Sequence, residues 1–137
     1  MKGLSFYLVD VFTDEKYAGN QLAVVADAGK LAGDQMQRIA KEFHFSETAF
    51  ILSNSMRNGG YDVRIFTPQT ELPFAGHPTL GTAFVIRNRI SDKKVDRIAL
   101  NLKVGQIPVS FERYGRGDHI MWMHQISPTF GRTLDRQ

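Results

Sequence analysis

The stretch ELPFAGHPTLGTAFVI, residues 71–86, limits the fold more than any other part of the chain. Pro78 suits the first turn of a helix, where its missing N–H leaves no bond unmade. The residues after it are apolar or small without a break: Leu80, Gly81, Thr82, Ala83, Phe84, Val85 and Ile86. A surface helix shows one apolar stripe and one polar face. A helix over 78–88 has no polar face in its first turns and must be enclosed. A helix apolar on all sides needs a concave cover, which a curled sheet supplies.

The remaining patterns supply that sheet. LSFYLVDVF (4–12) and QLAVVA (21–26) read as strands, the second buried on both faces because its apolar run is continuous. Met36, Ile39, Ala40 and Phe43 fall at helical spacing within 34–44, with Asp34 as the expected cap. Residues 45–52 read as a strand, 54–60 as a hairpin-type turn, and 61–67 as a strand with Tyr61, Val63 and Ile65 on one side. Ile98, Leu100 and Leu102 alternate, as do Ile107, Val109 and Phe111, which predicts a hairpin turning at 104–106. A last strand is expected over 119–126, with the Met121-Trp122-Met123 patch in the core, and 127–137 trails off without a capped element. The expected fold is α+β: six to seven strands in a strongly curled, mostly antiparallel, barrel-like sheet around a central buried helix.

Composition narrows the function classes. A chain of 137 residues is long enough for one domain with a core of its own. It has no cysteine, which removes disulfide and thiolate chemistry and favours a cytoplasmic address. The first residues lack the long apolar segment of a signal peptide, and no run approaches the roughly 18 residues of a membrane span. Net charge is +3, but the 17 lysines and arginines are scattered and form no basic stripe, so no nucleic-acid partner is expected. His119 and His124 lie five apart on the expected last strand and face opposite ways, so they do not chelate one metal; no metal site is expected.

Three places carry candidate chemistry. In FSETAFIL the odd positions are Phe45, Glu47, Ala49 and Ile51. A carboxylate among apolar neighbours is costly when ionised, which suits a group that takes up and returns a proton; a strand-end glutamate paired with an arginine fits the same pattern. Gly76-His77-Pro78 opens the enclosed helix, and its free N–H groups and positive dipole end suit a carboxylate or a developing enolate oxygen. His77 there is equally a hydrogen-bonding group, a proton shuttle or a loop residue tied to backbone. Asn20, after Gly19, either points its amide at a substrate carboxylate or sits in left-handed turn geometry.

In order, GNQLAVV, FSETAF and RIFTPQTELPFAGHPTLGTA resemble the phenazine-biosynthesis (PhzF-type) isomerase family, of diaminopimelate-epimerase-like fold. The likeness runs from VDVFT (9–13) to the region of Trp122 and Phe130-Gly131. It implies two similar domains, each a sheet curled about a helix, with the active site in the cleft between them. It also implies cofactor-independent proton transfer on a small carboxylate metabolite. By the same resemblance Glu47 is the acid/base glutamate, and Asn20, Gly76 and His77 bind substrate. The cysteine pair of the true epimerases has no counterpart.

The family runs to about twice this length, two domains of usual size. The chain, 1–137, is therefore expected to correspond to the N-terminal domain alone, with the second domain absent. Its partner is expected to be a second copy, in a homodimer, or a separately encoded second-domain chain. The alternative to an isomerase half is an inactive or small-acid-binding half with the same associations.

Overall fold

The computed structural model describes residues 3–134. In chain order these form β1 (Phe6–Val11), β2 (Asn20–Val25), α1 (Gly33–Phe43), β3 (Thr48–Ile51), β4 (Tyr61–Phe66), β5 (Glu71–Leu72) and α2 (Gly76–Val85). A π-helical turn (Ile86–Ile90) extends α2, and β6 (Arg97–Leu102), β7 (Gly105–Tyr114) and β8 (Asp118–Met123) follow. The strands make one sheet in the order β1-β2-β3-β4-β6-β7-β8, with the two-residue β5 paired to β4.

Strands joined by a direct turn or loop pair antiparallel: β1 with β2, β3 with β4, β4 with β5, β6 with β7 and β7 with β8. Between β3 and β4, Asn58 and Gly59 both take positive φ, 52° and 77°, the pair a two-residue type I′ turn needs. Two joints are parallel, β2 with β3 and β4 with β6. Parallel strands need a crossover, and each joint has its own: α1 for the first, α2 for the second.

The two helices take opposite faces. Leu22, Val24, Ala49, Ile51, Val63, Ile65, Leu100, Ile107 and Val109 point inward and pack with Leu80, Ala83 and Val85 of α2. Each leucine, isoleucine or valine among them contributes roughly 1.5–3 kcal/mol on burial. Helix α2 touches β1, β2, β3, β6, β7 and β8, so the sheet does curl around it. Gly81 permits the closest approach: a Cβ there would stand 2.6 Å from Leu22 Cδ2 and 2.8 Å from Val11 Cγ2. On the outer face Val25, Phe50 and Phe66 meet Met36 and Ala40 of α1. Strand β2 is thus buried on both faces, as its unbroken apolar run requires.

Several expectations need correction. Helix α2 begins two residues before Pro78, at Gly76, and its enclosure is not complete, since Phe84 is 46% exposed. Helix α1 is capped not by Asp34 but at Ala32, whose N–H is held by the Gln35 side chain at 2.9 Å. The strand expected over 45–52 begins only at Thr48, because His44 ends α1 in left-handed geometry, φ 57°, and the chain needs Phe45–Glu47 to turn back onto the sheet. Trp122 is 54% exposed; Met121 and Met123 alone turn toward the core, as strand alternation dictates. The opposed orientation expected for His119 and His124 involves the His119 side chain, which lies outside the described residues. The expectation for 127–137 extends past them at 135–137. Among the described residues no helix is long and apolar enough to cross a membrane.

Candidate active site

The strand order leaves β1 and β8 as the two ends of the curled sheet, and the N-terminus of α2 lies between them. Phe12, the residue after β1, sets its ring beside that of His77, centroids 6.4 Å apart. A Cβ on Gly76 would meet Met123 Cε, at the end of β8, at 3.4 Å. With Pro78 at the third position, the N–H groups of Gly76 and His77 are first-turn donors with no intrahelical acceptor. They lie at the positive end of the helix dipole, where a carboxylate is stabilised.

Glu47 reaches the same point from the other side of the chain. Its Oε2 lies 3.4 Å from His77 Nε2, and the two side chains are 18% and 9% exposed. Both atoms are shut off from solvent, and among the described residues neither has a hydrogen bond of good geometry. The 3.4 Å approach is therefore a close contact rather than a formed bond. Unpartnered buried polar atoms are rare and call for an explanation, of which a catalytic role is one. The low local dielectric strengthens any charge interaction made there. A carboxylate and an imidazole so placed can pass a proton, or hold a ligand group between them.

Of the four site residues expected from sequence, Glu47, Gly76 and His77 are thus brought together across 30 positions of chain. Asn20 takes no part in that contact. It is exposed and lines a cleft of about 280 Å³ with Gly19, Gln21, His44, Phe45 and Ser46, the last adjoining Glu47. The left-handed turn geometry belongs to Gly19, φ 70°, while Asn20 opens β2 opposite Val11. Gly19 admits no side chain, because a Cβ would sit 2.3 Å from Val11 O. The Asn20 amide is therefore free to face a ligand rather than to serve the turn.

Sequence reasoning missed one residue near the site. Phe12 gave no signal, since neither its left-handed backbone, φ 64°, nor its contact with His77 follows from local pattern. Glu71 left its direction open in the sequence. It turns to the outer face, where Arg64 Nε and Nη2 donate to Oε1 and Oε2, each at 2.8 Å, and Lys103 Nζ donates to Oε2 at 2.8 Å. The paired bonds from Arg64, aided by Lys103 and opposed by burial, hold its carboxyl well below the usual range, at about 2. Glu71 is thus kept ionised and tied to β4, and it begins the loop that leads to Gly76. Among the described residues no three His, Asp or Glu side chains gather as metal ligands would.

The chain is similar to known proteins. The family described as "Phenazine biosynthesis-like protein" matches residues 9–135. The chain belongs to that family. It is 40% identical over 125 residues to a trans-2,3-dihydro-3-hydroxyanthranilate isomerase of Pseudomonas aeruginosa, covering 91% of this chain and 44% of the relative. Among solved structures it matches a PhzF-family phenazine biosynthesis protein of Bacillus anthracis, with TM-score 0.78, 32% identity, and coverage of 90% of this chain and 40% of that one. A structure described as a predicted epimerase of Pseudomonas aeruginosa matches with TM-score 0.70 and 33% identity, covering 84% of this chain and 40% of that one. The chain spans less than half the length of these relatives.

Proposed function

We propose that this chain carries the glutamate-bearing wall of an isomerase site that moves a proton within a small carboxylate metabolite. The observation that carries the reading is the 3.4 Å approach of Glu47 Oε2 to His77 Nε2 at the mouth of α2. Proton transfer next to a conjugated carboxylate needs a base within reach of carbon and a fixed anchor for the anion. Glu47 is the base: it takes a proton from one carbon and returns it to another, so the product is an isomer with no net gain or loss of atoms. The N–H groups of Gly76 and His77, at the positive end of α2, anchor the carboxylate. His77 orients Glu47 and shares its proton. The Asn20 amide holds a second polar group of the substrate from the adjoining cleft. No cofactor is needed for such a step.

The opposite wall of the cleft comes from a second domain or a second chain. The relatives that match over less than half their length support a two-part site. The substrate that the Pseudomonas relative is named for, trans-2,3-dihydro-3-hydroxyanthranilate, fits the required chemistry and is the compound to test. On the intact natural protein, Glu47→Gln is expected to bind it within threefold of wild type and to isomerise it about a thousandfold more slowly. Isomerisation within tenfold of wild type removes Glu47 from the role of base. Binding without isomerisation in the wild type favours the small-acid-binding alternative.

A further inference from the structure

The loop from β1 to β2 holds a bulky residue in a backbone conformation that bulky residues avoid. Phe12 has φ 64° and is 67% exposed. Positive φ is uncommon for any residue but glycine, asparagine and aspartate, and an outlier of this kind persists only where the surroundings over-determine it. They do so here. Asp10 Oδ2 accepts the N–H of Tyr17 at 2.9 Å, Thr13 Oγ1 accepts that of Glu15 at 3.0 Å, and Gly19 is locked against Val11 O. The strain does not serve the core, because the Phe12 ring points away from it. What it does is stand an open aromatic face beside His77, 6.4 Å between centroids and 58° between planes.

We propose that Phe12 is a specificity-determining residue: its ring is the platform on which the flat, unsaturated part of the substrate lies once the carboxylate is anchored at Gly76 and His77. This rests on the carboxylate-anchoring reading above. Aromatic faces favour offset or tilted partners at ring separations of about 4.5–7 Å. The platform therefore selects planar acids over saturated ones of equal charge.

The test is a ratio of affinities, measured by calorimetry on the intact natural protein with two unreactive probes of the same charge: benzoate, which is planar, and cyclohexanecarboxylate, its saturated counterpart. Wild type is expected to favour benzoate by roughly three- to tenfold. Phe12→Gly removes the ring at a φ that glycine accepts freely, so the fold is retained, and the preference falls to within about twofold. Phe12→Asn, whose side chain also tolerates this φ, behaves alike, and Phe12→Tyr keeps the preference. A melting temperature within a few degrees of wild type shows that each variant is folded. Loss of the preference in Phe12→Gly and Phe12→Asn, with Phe12→Tyr retaining it, supports the proposal. An undiminished preference in folded Phe12→Gly, or none in the wild type, overturns it. Either result is independent of whether Glu47→Gln still isomerises, so this proposal and the proton-transfer reading fail separately.

Discussion

Removing the Glu71 carboxylate tests how the fold holds the site in place. Glu71 accepts two bonds from Arg64 and one from Lys103, and its carboxyl is lowered from 4.5 to about 2. Each tenfold change in proton affinity corresponds to about 1.4 kcal/mol, so the ceiling is about 3 kcal/mol. Lys103 is mostly exposed and Arg64 partly so, and solvent screening brings the expected contribution to about 1–2 kcal/mol. The folded value lies below the unfolded one. The contribution is therefore fully present above about pH 4.5 and is lost as pH falls toward about 2. Urea unfolding of wild type and Glu71→Gln at a series of pH values isolates this group, because other titrations are common to both proteins. The expected result is a gap of about 1–2 kcal/mol near pH 7 that shrinks through the acid range. A gap that stays constant down to about pH 2.5 refutes the reasoning, since it assigns the stability to something other than the ionised carboxylate. The consequence reaches the site: Glu71 begins the loop into Gly76, so the variant is also expected to weaken ligand binding at the α2 N-terminus.

Two glycine substitutions check close backbone contacts, one between α2 and the sheet and one in the β1–β2 turn. Gly81→Ala gains about 1 kcal/mol of helix propensity but forces a methyl onto buried Leu22 and Val11, an overpacking cost of about 1–3 kcal/mol; a net loss in the urea midpoint is expected, and a net gain contradicts the close approach. Gly19→Ala meets a carbonyl oxygen rather than a movable side chain and does so at φ 70°, so its melting temperature is expected to fall by about 5 °C or more; an unchanged value shows the turn to be looser than that contact implies.

Local pattern carried the parts of this fold that depend on local pattern. The run of apolar and small residues over 80–86 marked an enclosed helix because burial of nearly every face leaves no room for a charge. The alternation of Ile98, Leu100 and Leu102, and of Ile107, Val109 and Phe111, placed the β6–β7 hairpin because successive strand residues face opposite ways. The parallel joints were not legible, since β2 meets β3 and β4 meets β6 through long-range pairing that no short window records. Glu47 was found by its neighbours, yet its position was misplaced: it precedes the strand, in the turn that the left-handed His44 makes necessary. Its meeting with His77 depends on how the sheet curls, and a spacing of 30 residues says nothing of that. Trp122 was misread because an aromatic between two methionines looks like core, whereas strand alternation turns only its neighbours inward.

The central claim is that Glu47, held against His77 at the head of α2, takes a proton from carbon and gives it back. The most direct test is deuterium incorporation from D2O into trans-2,3-dihydro-3-hydroxyanthranilate or its isomer, followed by mass spectrometry on the intact natural protein. Wild type is expected to place one solvent deuteron on carbon per product molecule to the extent that Glu47 exchanges with solvent between the two steps, and Glu47→Gln none above the uncatalysed background. Incorporation by Glu47→Gln at the wild-type rate contradicts the account.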